Sequence, residues 1–554
     1  MCGIAGGVWT SFGQPIEQDV LDRMTDVLRH RGPDGRGVYR KDHSDGSGVA
    51  LGHRRLSIID LAGGGQPLSN EDDTVWITFN GEIYNYRELR PDLEQKGHRF
   101  RTDSDTEVIV HLYEQYGVDC LERLNGMFAF AIWDERRRRL FLARDRAGEK
   151  PLLYYAPPGR LLFASEIKSL LQAPGTPREM DPMALDAYLT FGYVPHPRTM
   201  FTGIAKLPPA HYAMFENGRL EIRRYWSVDY GRESHACPED LREQLRAALS
   251  ESVRLRMRSD VPLGAFLSGG IDSTSIVGLM REHSDRVKTC TIGFPVDGYD
   301  ESGYARIAAE HLGTEHHELQ VQPDSLGMLP QLVWHFDEPF ADSSAIPTYF
   351  VSQATRRHVT VALTGDGGDE LFAGYPRYRT VESLGAFDRL PDWLRGLTAN
   401  RLWNHLPGTK ERSFGRRLRY RMETLHEPPD RRYSHWVSIF PPRSKVGLYT
   451  PELLDSIGGS DAAAFVADAM GRASGRSPGT RARLADLVTY LPCDLLPKVD
   501  ITSMACALEC RAPFLDHRVI ELAASLPFNL LCNGFGEKPF LTGTLPDLIP
   551  PPLR

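Results

Sequence analysis

The pattern of apolar and polar positions changes character near residue 238. Before it, short apolar runs are broken by Gly, Asp and Pro, as expected for sheet strands separated by turns. Val75–Phe79, Met127–Trp133, Leu140–Ala143 and Leu161–Ala164 are such runs. Two helical segments interleave, Gln18–Leu28 and Asp105–Tyr116, the second with Val108, Ile109, Leu112 and Tyr113 on one face. Residues 1–205 therefore read as an α+β unit rich in antiparallel sheet. The Pro-rich stretches Tyr193–Arg198 and Leu207–Pro209 lead into residues 206–237, a linker with a short hairpin over 210–230.

Residues 238–554 alternate helix and strand. Helix Asp240–Arg256, strand Pro262–Leu267, helix Ser273–Glu282, strand Lys288–Phe294, helix Tyr304–Leu312, strand Glu315–Val321 and strand His358–Leu363 follow in order. That alternation predicts a parallel, doubly wound α/β sheet. The region after about Phe372 reads as mostly helical.

Composition narrows the class. A chain of 554 residues with 41% hydrophobic and 25% charged residues fits a soluble protein of two or three domains. A net charge of −8 argues against a general nucleic-acid binder. No apolar run approaches the ~18–20 residues of a membrane span. No secretory signal is visible at the N-terminus, so a cytoplasmic chain is expected. The eight cysteines lack Cys-x-x-Cys or zinc-type spacing. Cys506 and Cys510, at i and i+4, are expected to share a helix face as buried thiols. His316-His317 reads as local packing, and Arg136 to Arg139 as a solvated hairpin turn.

Three features carry chemistry. Cys2 directly follows Met1. Removal of Met1 would leave one residue holding both a thiol and an α-amine, which titrates near ~7.7–8 and can act as a base. The plain alternative is a buried cysteine in a first strand. Leu267-Ser268-Gly269-Gly270-Ile271-Asp272-Ser273 lies between a strand and a helix. Its glycines let backbone N–H groups converge, and the helix N-terminus adds partial positive charge, a construction that holds a polyphosphate. The second Gly-rich turn, Thr364 to Glu370, also leaves the end of a predicted parallel strand. Carboxylates beside a polyphosphate repel it unless a cation is present, so Asp272, Asp366 and Asp369 imply a metal, with Asp272 suited to Mg²⁺ and one of the other two left to orient or deprotonate a substrate.

Cys2, Asn80-Gly81-Glu82 and Ser268–Ser273 together resemble the glutamine-hydrolysing asparagine synthetases. Arg31–Asp34, His53–Asp60, Ser104–Glu107, Asn125–Ala131, Ala164–Lys168, Thr364–Tyr375 and Arg511–Asp516 extend the resemblance over nearly the whole chain. It implies an αββα sandwich of the N-terminal-nucleophile hydrolase type over 1–205, a class II glutamine amidotransferase, and an ATP-pyrophosphatase synthetase domain over 238–554. Cys2 would be the glutaminase nucleophile, with Asn80 and Gly81 as oxyanion hole. Arg55, Leu56, Ser57, Ile58, Ile59, Glu82 and Asp105 would bind glutamine, Arg55 at its α-carboxylate and Glu82 and Asp105 at its α-ammonium. Leu267, Ile292, Thr364 and Gly365 would contact the adenosine of ATP. Ser268, Gly269, Gly270 and Ser273 would cradle its pyrophosphate, and Asp272 and Asp369 would hold Mg²⁺. Lys538 would stabilise charge developing on the phosphates, and Asp366 would meet the adenylate and ammonia.

Two departures qualify the resemblance. The family often has Glu at the position of Asp366, and Asp there is common among relatives in polysaccharide and natural-product pathways. The chain also ends at Arg554, where family members usually continue, as expected of a truncated or shortened protein. The expected reaction is amidation of a carboxylate through an acyl-adenylate, most simply aspartate to asparagine. Ammonia would come from glutamine through a dry internal passage. The alternatives are the same chemistry on another carboxylate, a stand-alone glutaminase, or a non-catalytic regulatory or assembly protein. The partners implied are small-molecule substrates, with no nucleic acid and no membrane. The family often forms homodimers.

Overall fold

The structure is a computed structural model that describes residues 1–293, 300–321, 325–385, 387–391, 393, 424–440, 444–445, 447–533 and 536–554. Strands are numbered along the chain. The first sheet is antiparallel, in the order β10 (Ile204–Lys206), β8 (Leu153–Tyr155), β9 (Arg160–Ala164), β1 (Gly3–Trp9), β3 (Gly48–Arg55), β2 (Gly35–Asp42). The second is also antiparallel: β12 (Arg219–Arg224), β11 (His211–Glu216), β7 (Arg139–Arg144), β6 (Gly126–Asp134), β5 (Val75–Ile83), β4 (Leu68–Ser69).

Side-chain alternation explains why these strands are apolar on both faces. On β1, Ile4 and Val8 pack between the sheets, whereas Ala5 and Trp9 face helix Gln18–Asp26 through Leu21 and Met24. On β6, Ala129, Ala131 and Trp133 point to the inter-sheet layer, whereas Phe128 and Phe130 pack with Ile109 and Leu112 of helix Asp105–Tyr116. A strand buried on both faces reads as a continuous apolar run. The result is the expected helix–sheet–sheet–helix sandwich. The hairpin anticipated at 210–230 forms, and β11 pairs with β7, so it extends the second sheet.

The second unit holds a five-stranded parallel sheet ordered β15 (Glu315–Gln320), β14 (Lys288–Gly293), β13 (Leu263–Phe266), β16 (Val361–Leu363), β17 (Glu509–Arg511). The chain builds outward from β13 on one side and then returns to pair β16 on the other. That reversal is the switch point where such sheets place ligands. Helix Pro238–Arg256 buries Leu241, Leu245, Leu249 and Val253, one residue per turn, against helix Ile271–His283. Beyond β16 the described residues are mostly helical.

Some expectations shift. The strand anticipated from His358 starts at Val361, because the N–H groups of His358 and Val359 both close the preceding helix on Thr355 O. Phe294, anticipated at the end of β14, lies outside the described residues. Cys506 and Cys510 do not share a helix face. Their helix ends at Met504, and Cys510 sits in β17, whose three residues lie in a stretch read as helical. His316 Nδ1 meets Thr289 Oγ1 at 2.9 Å and His317 stacks on His358 at 3.9 Å, which is local packing. No described helix is long and apolar enough to cross a membrane.

Candidate active site

Two constellations form, one in each unit. The first gathers at the ends of β1, β3 and β5. The Cys2 N–H donates to Asn80 Oδ1 at 2.9 Å, while Asn80 Nδ2 is buried without a partner. An amide fixed through its oxygen, with its N–H₂ unpaired beside a thiol, is suited to stabilise an oxyanion. Gly81 follows at φ +154°, where a Cβ would lie 2.0 Å from Met127 O, so only glycine fits. The adjoining cleft is lined by Cys2, Arg55, Leu56, Ile58, Ile59, Gly81, Glu82 and Asp105. Gln66, Phe79, Ser104 and Thr106 also line it and were not foreseen. Ser57 does not line it; its N–H is 2.9 Å from Asp34 Oδ2.

Electrostatics distinguish the ends of this cavity. Burial pushes the Cys2 thiol up, against the nearby N-terminal ammonium and the Leu56 backbone, which act to lower it. Glu82 is raised by burial, then by Asp105 and Glu509, and its Oε2 has no hydrogen-bond partner. Asp105 is pushed up to about 6 by burial, although it accepts the Ile83 N–H at 2.8 Å. Two under-compensated buried carboxylates favour a cation between them. Arg55 donates to the carbonyls of Ile59, Asp60 and Leu61, which hold its guanidinium at the rim.

The second constellation lies at the switch point. The turn after β13 folds on itself, with Ser268 Oγ 3.1 Å from Ser273 Oγ and accepting the Gly270 N–H at 3.2 Å. Gly269 has φ +80°, and a Cβ there would lie 2.3 Å from the Tyr304 backbone. The neighbouring turn after β16 supplies Asp366 and Asp369. Lys538 inserts between the turns, hydrogen-bonded to Asp272 and 2.6 Å from Asp369 Oδ1. A Cβ on Gly368 would meet the Asp272 carboxyl carbon at 2.5 Å, and one on Gly374 would meet Asp369 Oδ1 at 1.9 Å. Glycine therefore keeps both carboxylates close to the lysine. Asp272 is pushed up to about 6 by burial and by Asp369, against Lys538, and its Oδ1 has no partner. Burial also raises Asp366, whose Oδ2 accepts from Thr364 Oγ1 at 2.6 Å.

Between the sites runs a charged, buried seam. Arg31 Nε donates to Cys2 O at 3.0 Å, Nη1 to Glu166 at 3.0 Å, and Nη2 to Asp500 of the second unit at 2.8 Å. Asp500 in turn lines a small cavity that also touches Glu149, Lys150, Thr364, Asp366 and Cys510. Glu509 pairs with the Met1 ammonium at 2.7 Å and with Arg511 at 2.6 Å, and Arg511 reaches Glu82 at 3.5 Å. Burial would raise Glu509, but the Met1 ammonium and Arg511 outweigh it, so it is lowered. Synthetase-side strand β17 thus helps to build the Cys2 pocket.

Comparison with known proteins agrees with both halves. Residues 1–226 match the family described as glutamine amidotransferase domain, and residues 244–554, more than half the chain, match asparagine synthase. The chain is 38% identical to "Asparagine synthetase [glutamine-hydrolyzing] 1" of Bacillus subtilis (strain 168), over 99% of this chain and 85% of that protein. The chain belongs to the glutamine-hydrolysing asparagine synthetase family. A further Bacillus subtilis relative, "Asparagine synthetase [glutamine-hydrolyzing] 3", is 32% identical over 99% of this chain and 85% of its own length.

For a family member, the structure brings together most of the residues that the motifs nominated. Leu267 is buried at the end of β13, with its N–H on Cys290 O at 3.0 Å, and Ile292 lies near the end of β14. Thr364 and Gly365 leave β16 beside Asp272. Sequence reasoning assigned no role to Arg31, Glu149, Glu166, Asp500, Glu509 or Arg511. Arg31, Glu166 and Arg511 stand in the matching motifs, which was the available signal. Glu149, Asp500 and Glu509 carry none; Asp500 meets Arg31 across 469 residues and Glu509 meets Met1 across 508.

Proposed function

We propose that this enzyme makes asparagine from aspartate, with glutamine as nitrogen donor and ATP as activator. The reading divides the chain into a glutaminase unit over 1–205 with the 206–237 hairpin attached to it, and a synthetase unit over 238–554. It also takes the chain to be a cytoplasmic enzyme that works on small molecules, as a homodimer.

Removal of Met1 would free the Cys2 α-amine, whose nitrogen lies 2.9 Å from Asn80 Oδ1. The amine accepts the thiol proton, and the sulfur attacks the carboxamide carbon of glutamine. Asn80 Nδ2 and the Gly81 N–H stabilise the oxyanion, and the leaving nitrogen takes a proton to depart as ammonia. Water then cleaves the thioester to glutamate. Glu82 and Asp105 hold the α-ammonium of glutamine and Arg55 its α-carboxylate.

In the second site Ser268, Gly269, Gly270 and Ser273 cradle the ATP phosphates, with Leu267, Ile292, Thr364 and Gly365 around adenosine. The orphaned Oδ1 of Asp272 and the adjacent Asp369 fit a hard cation, so these two residues would hold Mg²⁺. When bound, it would neutralise phosphate charge. Lys538 stabilises the pyrophosphate that departs as the aspartate β-carboxylate attacks the α-phosphorus. Ammonia then displaces AMP from the acyl-adenylate, with Asp366 placed to orient it.

The observation that carries this reading is the buried link from Cys2 through Arg31 and Asp500 to the cavity that contains Asp366. It joins a nitrogen-releasing site to a carboxylate-activating one through side chains that are themselves buried. A specific feature favours a second acceptor: Asp366 stands where the family often has Glu, and its carboxylate is tied back to Thr364 at 2.6 Å. Glutamine-dependent pyrophosphate release, measured across a panel of carboxylates, tests both. Asparagine formation with aspartate as the best substrate is expected. Pyrophosphate release with another carboxylate and none with aspartate would transfer the assignment to that acceptor.

A further inference from the structure

The outer face of the second sheet carries a cluster that neither site uses. Glu71 sits in the turn between β4 and β5, and His98 follows helix Tyr86–Gln95. His111 and Glu114 lie one turn apart on helix Asp105–Tyr116. One ligand atom from each of the four lies within 4.8 Å of those of the other three. His111 Nδ1 is 3.0 Å from Glu114 Oε2 and 3.8 Å from Glu71 Oε2, and His98 Nδ1 is 3.7 Å from Glu114 Oε2. Nitrogen and oxygen ligands at about 2.0–2.1 Å from a tetrahedral centre stand about 3.4 Å apart. The observed separations bracket that spacing.

The outward atoms of the same side chains are already occupied or faced. Glu71 Oε1 accepts the Arg99 N–H at 2.7 Å, and Glu114 Oε1 accepts from Asn70 Nδ2 at 2.7 Å. His98 Nε2 is 3.3 Å from Gln115 Oε1, and His111 Nε2 faces Glu107 Oε1 at 3.6 Å. Each side chain is thus aimed by one atom while the other points to a shared centre, which is how outer partners orient metal-binding imidazoles and carboxylates. His111 is fully buried, with the His98 ring at 5.0 Å and the Phe100 ring at 4.6 Å. Burial acts to lower His111, but Glu107, Glu114 and Glu71 carry it up to about 9. A proton on Nδ1 and a metal ion would occupy the same place and compete for it.

We propose that Glu71, His98, His111 and Glu114 form a binding site for a divalent transition-metal ion of the Zn²⁺ class. Two imidazoles with two carboxylates suit Zn²⁺ better than Mg²⁺ or Ca²⁺, which take oxygen ligands. Four protein ligands leave no open position, so the role is structural. The ion would pin two connecting segments to the helix whose first residue, Asp105, lines the Cys2 pocket.

The test uses the full chain, stripped with a chelator and titrated with Zn²⁺ under excess Mg²⁺, which occupies hard-cation sites. Retained metal is measured after desalting, together with the melting temperature. Co²⁺ serves as a second probe through its visible tetrahedral bands. One retained Zn²⁺ per chain and a raised melting temperature are expected. His98→Ala, at a partly exposed ring, should cut affinity by about a hundredfold or more and remove the melting shift, and Asn70→Ala should cost about tenfold. Glu71→Gln, on a turn, gives a second ligand variant that does not depend on the buried helix. Binding that is equal in wild type, His98→Ala and Glu71→Gln overturns the proposal. So does no retained ion in wild type, which leaves the four as an imidazolium–carboxylate network.

Discussion

The Cys2 pocket and the Asp272–Asp369–Lys538 cluster are assembled in opposite ways. The first draws single residues from distant places: Cys2 from just before β1, Arg55 from β3, Asn80 to Glu82 from β5 and Asp105 from a helix start. Sheet pairing puts them together, and Glu509 and Arg511 of the other unit complete the shell. The second comes almost whole from two short Gly-rich turns on neighbouring parallel strands, with Lys538 added from afar. One site depends on long-range register; the other depends on local backbone conformation at one sheet edge. Their charges also differ. The Cys2 pocket offers two buried carboxylates, with Glu82 Oε2 unpartnered, at one end and an amide donor at the other, whereas the second site is a carboxylate pair bridged by a lysine.

The sharpest way to break the comparison is a reciprocal pair. Cys2→Ala should abolish glutamine-driven synthesis and leave synthesis from ammonia near normal. Asp369→Asn should abolish pyrophosphate release and leave glutamate formation near normal. If either variant, still folded, loses both activities, the sites are not separable. Next in size, Asn80→Ala removes an unpartnered amide donor beside Cys2, and glutaminase kcat should fall by about 10²–10³-fold with ammonia-driven synthesis unchanged. A fall below tenfold would remove Asn80 from the oxyanion hole.

Arg31 tests the seam. Its guanidinium touches Cys2 O, Glu166 and Asp500 at once, whereas Glu166 and Asp500 keep Lys168 and Lys150 as other partners. Arg31→Ala should cost about 3 kcal/mol, at the low end for breaking a buried pair, read from denaturant unfolding. Glutamate release should exceed asparagine formation more than in wild type. Unchanged stability and coupling would show that the units associate without this residue.

The smallest effect is a pH slope. Glu149, in the cavity between the sites, is pushed up to about 8 by burial and by Asp145. The native chain then keeps this proton over a range in which the unfolded chain has lost it, from the ordinary carboxylate value of 4.5 up to about 8. The native state binds more protons in that window, so stability falls as pH rises through it. Glu149→Gln should flatten this fall, compared by unfolding at about pH 6 and about pH 8.5. An unchanged slope would move the titration to other buried acids.

Much of this architecture is legible along the chain. Short apolar runs and turn residues located β5, β6, β7 and β9, and helix Asp105–Tyr116 has the predicted ends, because Ser104 caps it and Gly117 stops it. The Ser268–Ser273 and Thr364–Glu370 turns were legible because their function needs glycine at fixed offsets, a local requirement that sequence displays. Long-range packing decided the rest. It made β17 a parallel edge strand although three residues carry no period, and it separated Cys506 from Cys510. It brought Glu509 to Met1 across 508 residues and Arg31 to Asp500 across 469. Such pairs follow from desolvation: once the fold buries a charge, it requires an opposite charge or hydrogen bonds close by, and which residue supplies them is set by where the sheets meet rather than by any neighbour in the chain.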